Sequence, residues 1–126
     1  MKNPVYDRAF EEQRFDDCVD IGSRYCSYGL TIKAQAQIEQ KNFSDAAVSS
    51  VRAIEEGGGA EAYLAMACAT FELDEDAAVV AHILKRAVEL DAEIHKLDLY
   101  MRYADRINFK AHMVLESRRI DVMNKY

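Results

Sequence analysis

The sequence predicts an all-α fold built from consecutive antiparallel helix pairs, and three observations predict it. The chain has 126 residues with one proline and five glycines, so residues that break helices are scarce. Apolar residues recur at spacings of three and four, which is the period of one helix face. A pattern of apolar and small residues also repeats after 34 residues, the length of a helix pair with its turns.

The repeat appears when residues 30–56 are aligned on residues 64–90 without a gap. Small residues fall on small residues and apolar residues fall on apolar ones, as equivalent packing sites require. Ala34 falls on Cys68, for example, and Ala46 on Val80. The identical pairs are Leu30 with Leu64, Ala47 with Ala81, Arg52 with Arg86, Ala53 with Ala87 and Glu55 with Glu89.

Helices are expected along most of the chain, joined by connections of a few residues. Connections this short force neighbouring helices to pack antiparallel. Gly57–Gly59 allow the chain to reverse between pairs, because glycine tolerates positive φ. The predicted helices are 5–12, 15–27, 28–40, 44–56, 60–73, 76–91, 93–106 and 109–124, although residues 93–126 are also compatible with one long helix.

A short motif marks the start of the second helix of a pair. Asn42-Phe43-Ser44-Asp45 is echoed by Arg14-Phe15-Asp16-Asp17 and by Asn108-Phe109-Lys110-Ala111. Each run reads as a tight turn with a phenylalanine beside it. We therefore expect N-caps at Ser44 and Asn108, and also at Asp74 in the equivalent turn of the unit 61–94. Ser, Asp and Asn side chains accept hydrogen bonds from the first free amides of a helix.

The repeat resembles the tetratricopeptide repeat family. The unit 61–94 resembles it most, and the unit 27–60 departs from it at Gln37 and Ser50, where a bulky residue is usual. The resemblance implies a right-handed α-solenoid of about three helix pairs in a single domain, 1–126, with 5–27 as capping helices and 95–124 as a C-terminal repeat or cap. The residues that carry it are Leu64, Ala67, Cys68, Phe71, Val80, Leu84 and Ala87 in the unit 61–94, and Leu30, Ala34, Ala46 and Ala53 in the unit 27–60.

The resemblance also implies a concave groove lined by the first helix of each pair. Ala62, Ala65 and Ala69 form a smooth floor there, which suits an apolar helix or an extended apolar segment of a partner protein. The alternatives are that the protein's own terminal helix or a second copy covers this floor. The predicted groove residues are Tyr28, Thr31, Gln35, Ile38, Ala62, Ala65, Met66, Ala69, Leu73, Leu99, Tyr100 and Tyr103.

Composition and charge indicate which classes of partner to expect. The net charge of −6 argues against nucleic acid, because an acidic protein repels phosphates. No apolar run is long enough to span a membrane, and the first ten residues lack the apolar core of a signal peptide. Cys18, Cys26 and Cys68 lack metal-site spacing and predict a reduced protein in the cytoplasm.

Catalytic and metal chemistry have little support in the sequence. His82, His95 and His112 do not have metal-ligand spacing, and Gly57–Gly59 lack the Lys-Ser/Thr of a phosphate-binding loop. The acidic run 73–76 fails the calcium-loop pattern and is better explained as a helix start. We therefore expect no cofactor, no metal and no enzymatic activity.

The predicted function is an adaptor or chaperone that holds a helical or apolar segment of another protein. Size, charge and fold are weakly similar to small repeat-containing chaperones of bacterial type III secretion. The alternative is a homo-oligomeric assembly unit. Residues 1–20 hold six acids against three bases, whereas residues 102–126 hold six bases against three acids, so the two ends of different copies attract each other.

Overall fold

The computed structural model describes residues 27–124, and this part of the chain is all-helical with no strand. The predicted all-α fold class is confirmed at this level. The N-terminal capping helices predicted over 5–27 lie outside the described residues, apart from Ser27. The helices are α1 Ser27–Glu39, α2 Phe43–Glu55, α3 Ala60–Glu72, α4 Ala77–Leu90 and α5 Asp98–Asn124, with a 3₁₀ turn at Ala92–Lys96.

The first four of these helices begin and end within one residue of the predicted bounds. The C-terminal part differs, because α5 is one helix of 27 residues and has no turn at Asn108. Ile107 and Ala111 are both buried, and they lie one helical turn apart. Continuing the helix keeps both of them on the same packed face, whereas a turn between them would separate them.

The three predicted N-caps are wrong. Ser44 lies inside the first turn of α2, and Asn108 lies in the middle of α5. Asp74 occupies the turn before α4 with a left-handed φ of 64°. The cap of α4 is Asp76, whose Oδ1 accepts a hydrogen bond from the backbone N–H of Ala78 at 3.0 Å.

Consecutive helices pack against each other in order, and α3 contacts both α1 and α5 as well as its chain neighbours. Four matched pairs of small and apolar residues are buried in both helix pairs: Leu30 with Leu64, Ala34 with Cys68, Ala46 with Val80 and Ala53 with Ala87. Leu30 and Leu64 are 3% and 0% exposed, and Ala53 and Ala87 have no exposed surface. Equivalent positions therefore make equivalent close contacts, as the sequence pattern requires.

Two polar residues occupy buried sites where a bulky apolar residue was expected. Gln37 and Ser50 are both buried. Gln37 Oε1 accepts a hydrogen bond from Ser49 Oγ at 2.7 Å, and Ser50 Oγ donates to the carbonyl of Ala47 at 2.9 Å. The two departures from the expected pattern are thus accommodated by one hydrogen bond between α1 and α2 and by another within α2.

Candidate functional site

The alanines predicted as the floor of a groove have no exposed surface. Ala62, Ala65 and Ala69 are each 0% exposed. Ala65 and Ala69 belong to one packed cluster that also includes Ile38 of α1 and Tyr103 of α5. Their small side chains allow the helices beside α3 to approach it closely. A partner therefore reaches this stripe only if its covering is displaced.

The other predicted groove residues do not form one continuous surface. Thr31, Ile38, Leu99 and Tyr103 are buried, and Leu73 is exposed in the turn after α3. Two of the half-buried residues line separate clefts, Tyr28 the one and Tyr100 the other. The remaining half-buried residues of the set are Gln35 and Met66.

The first cleft lies at the end of the helix pairs where Gly57–Gly59 reverse the chain. It has a volume of about 560 Å³. Tyr28, Thr31 and Ile94 line it, together with the acidic residues Glu61, Asp91 and Glu93. Glu93 already pairs with Lys96, so its charge is partly compensated. The cleft can accept a side chain or a short chain segment that is apolar or basic.

The second cleft lies between α4 and α5 and has a volume of about 430 Å³. Ala81, Leu84 and Val88 give it an apolar floor on the α4 side. Tyr100 and Asn108 close it on the α5 side. Tyr100 is the one residue of the predicted groove that lines this second cleft, so the sequence pattern did not indicate the cleft.

Ion pairs attach α5 to the ends of the other helices. Arg102 pairs with Glu39 at the end of α1, and Arg106 Nη2 lies 3.2 Å from Glu72 Oε1 at the end of α3. Two further pairs reach the turn between α3 and α4. Lys110 Nζ lies 2.6 Å from Asp74 Oδ1, and Arg118 Nη2 lies 2.6 Å from Asp76 Oδ2.

Aromatic contacts strengthen the same junction between α3 and α5. Phe71 and Tyr103 meet edge to face with their ring centroids 6.1 Å apart. The guanidinium of Arg106 lies 5.1 Å from the Phe71 centroid and 5.2 Å from that of Tyr103. Burial raises the pKa of Tyr103 to about 12, so its hydroxyl stays protonated and neutral at physiological pH.

The second half of α5 carries a solvent-exposed apolar stripe made of Phe109, Met113 and Ile120. Their exposed fractions are 69%, 54% and 51%. Spacings of four and seven place the three on one helix face. Ala111 is the last buried residue of α5 among those described, so the helix continues beyond its main packing contacts. In the sequence, Phe109 belongs to the repeat of the Asn42-Phe43 motif at Asn108-Phe109, a pattern that predicts a turn and not an exposed helix face.

Among the described residues, metal ligands are not clustered and the one described cysteine is buried. No group of three His, Cys, Asp or Glu side chains within residues 27–124 is placed to hold a metal ion. Burial raises the pKa of the Cys68 thiol far above its usual range, which makes that thiol a poor nucleophile. None of the helices in this range combines the length and apolar character needed to cross a membrane.

Comparison of the chain with known protein families, with characterised proteins and with solved structures finds no match. The functional assignment therefore depends on the surfaces of this molecule.

Proposed function

We propose that this protein is a non-enzymatic binding protein that holds an apolar helical segment of another polypeptide. The observation that carries the proposal is the apolar stripe of α5, in which three large apolar side chains are more than half exposed on one face. Exposed apolar side chains that align on one helix face are typical of surfaces that receive a partner helix.

The proposal includes a tetratricopeptide-like arrangement in which first helices stack on first helices. Two observations support it. The helix α3 contacts the preceding and following first helices, α1 and α5, and matched small and apolar positions such as Ala53 and Ala87 are buried in both pairs. Stacked pairs of this kind work as adaptors or chaperones because they present extended surfaces to other chains.

The surface proposed for the partner differs from the groove expected from the sequence. The stripe Ala62, Ala65 and Ala69 is buried, whereas Phe109 and Met113 are accessible without any rearrangement. A binding surface must be accessible in at least one populated state, so we place first contact on α5. Leu73 is 39% exposed and is the most accessible member of the predicted set.

The alternative of charge-driven stacking between chain ends has weaker support. It needs free basic side chains at the C-terminal end, but Arg102, Arg106, Lys110 and Arg118 each pair with an acid of the same molecule. Arg119 pairs with Glu116. Charges that are paired within one copy contribute little net attraction to another copy.

A site-specific crosslinking experiment tests the proposed surface. A photoreactive phenylalanine analogue placed at Phe109 should crosslink to one defined polypeptide in the cells that make this protein. The crosslinked segment should be an amphipathic helix. With that segment as a synthetic peptide, Phe109→Ser combined with Met113→Ser should weaken binding at least about tenfold in calorimetry, the loss expected when two large apolar contacts are removed.

The matched control is Val48, which is 59% exposed on α2. The photoreactive residue at Val48 should not give the same crosslink, and Val48→Ser should leave peptide affinity unchanged. The proposal fails if crosslinking is equally strong at both positions, or if the Phe109 and Met113 substitutions leave affinity unchanged while circular dichroism shows intact helices.

A further inference from the structure

A second face of α5 carries residues that repeat with the spacing of a two-helix seam. The positions advance alternately by three and four residues, which is the pattern by which one helix keeps contact with another. All of them are exposed, and Met101 and Leu115 are 62% and 54% exposed. The seam consists of Asp98, Met101, Asp105, Asn108, His112, Leu115 and Arg119.

The seam has a definite charge order along the helix. Its first half holds two acidic residues, Asp98 and Asp105. Its second half holds His112 and Arg119, and Asn108 lies at the midpoint. A helix with this order is complementary to itself when the second helix runs in the opposite direction. In a parallel pair, like residues would lie side by side and Asp98 would face Asp98.

We propose that α5 forms an antiparallel pair with α5 of a second copy of this chain, with the twofold axis near Asn108. Asp98 of one copy then lies opposite Arg119 of the other. Met101 lies opposite Leu115, and Asp105 lies opposite His112, whose imidazole can donate a hydrogen bond to the carboxylate. The two Asn108 side chains would meet at the axis, where each amide can donate a hydrogen bond to the carbonyl oxygen of the other and so favour this register.

The surroundings of the seam leave room for a second helix. Asn108 belongs to both the seam and the cleft between α4 and α5, so the second helix would lie along the mouth of that cleft. On the α4 side the cleft contributes the apolar side chains of Ala81 and Val88 and the polar side chains of His82 and Lys85. The seam spans about 32 Å of helix at 1.5 Å per residue.

The existing ion pairs at the seam do not oppose this contact. Arg119 pairs with Glu116 and Asp98 with Arg102, each within one turn of α5. Exchanging such exposed pairs for partners in a second copy changes the free energy little in either direction. The dimer therefore depends on Met101 and Leu115 and on Asp105 and His112, which have no ion pair among the described residues. The seam is also separate from the stripe Phe109, Met113 and Ile120, and this inference goes beyond the proposed binding of another polypeptide.

Sedimentation equilibrium of the full chain tests the dimer. The wild type should show a monomer–dimer equilibrium, and Met101→Glu with Leu115→Glu should raise the dissociation constant at least tenfold. Val48→Glu with Val79→Glu is the matched control, because it adds the same charges at side chains that are 59% and 55% exposed elsewhere. It should leave the dissociation constant unchanged.

A charge exchange and a crosslinking pair test the orientation. Asp98→Arg should weaken the dimer, and adding Arg119→Asp should restore it. With Cys18 and Cys26 replaced by serine, Met101→Cys and Leu115→Cys should form disulfide-linked dimers only when the two variants are mixed. A wild type that stays monomeric at millimolar concentration overturns the proposal, and so does crosslinking of Met101→Cys alone, which indicates a parallel pair.

Discussion

At the residue scale, the hydrogen bond between Gln37 and Ser49 makes two polar side chains acceptable inside a helix pair. Both residues are buried, and the Ser49 Oγ to Gln37 Oε1 distance is 2.7 Å. Every buried side-chain oxygen or nitrogen in the described range has a partner. A satisfied pair of this kind is close to neutral for stability, whereas one orphaned member costs free energy.

Ser49→Ala should lower the free energy of unfolding by about 1–3 kcal/mol, because it leaves the Gln37 carbonyl oxygen buried without a donor. Denaturant unfolding followed by circular dichroism measures the change. Adding Gln37→Met to this variant should recover most of the loss, since both polar groups are then gone and the volume is kept. Losses that simply add in the double variant would contradict a coupled pair.

At the element scale, α5 is attached to the turn between α3 and α4 through charged pairs as well as through apolar contacts. The hydrogen bond from Lys110 lowers the pKa of Asp74, and the hydrogen bonds from Arg118 and from the Ala78 amide lower the pKa of Asp76. Both carboxylates are solvent-exposed, so their ion pairs with α5 are weak and sensitive to salt. What these pairs stabilise is the attachment of α5 to the turn.

Acid should loosen the second half of α5 before the rest of the molecule. A carboxyl whose pKa is lowered in the folded state stabilises the fold above the ordinary carboxyl pKa of about 4, and this contribution is lost as the pH falls through the lowered value. Amide exchange of residues 112–121, corrected for intrinsic rates, should therefore accelerate more than that of α1 on going from pH 6 to pH 3.

Substitutions in the turn provide the control for this prediction. Asp76→Asn keeps a side chain that can cap α4 but removes the charge, so exchange should be faster at pH 6 and change less with pH. Glu75→Gln should behave like the wild type, because the Glu75 carboxylate has no ion pair among the described residues. Equal effects of both substitutions would show that the pairing itself does not matter.

At the scale of the whole molecule, the join between the two helix pairs depends on a close backbone approach at Gly58. Gly57 has a φ of 90°, and the Gly58 N–H donates to the carbonyl of Ala53 at 2.7 Å. A Cβ at Gly58 would lie 2.6 Å from the Ala53 oxygen and 3.0 Å from the Ala62 Cβ. This glycine therefore brings α2 and α3 close together, which places one pair on the next.

Gly58→Ser should destabilise the protein by about 1–3 kcal/mol, because its Cβ meets backbone atoms that cannot move aside cheaply. Gly59→Ser is the matched control. Its Cβ meets nothing within 4 Å, and Gly59 is the N-cap of α3, where serine is favourable. Thermal unfolding should separate the two variants by several degrees, and equal melting temperatures would contradict the close approach at Gly58.

The sequence by itself determined which segments between residues 27 and 90 are helical and which small and apolar positions of the repeat are packed inside. Helix bounds follow from the period of apolar residues and from the scarcity of breakers, which are local properties. The sites Leu30, Leu64, Ala53 and Ala87 were matched by the repeat alone, because equivalent packing positions require equivalent residue sizes. These predictions hold at the level of fold class and helix pairing.

Only the tertiary structure decided what is accessible. Ala62, Ala65 and Ala69 form a stripe in the sequence, but accessibility depends on what packs against α3, and no local pattern specifies that. The continuation of α5 through Asn108 was likewise decided by Ile107 and Ala111, because the burial of both on one helix face outweighs the turn pattern at Asn108. Exposure of Phe109 and Met113 follows from that choice, because a helix that turned back would have been free to bury them.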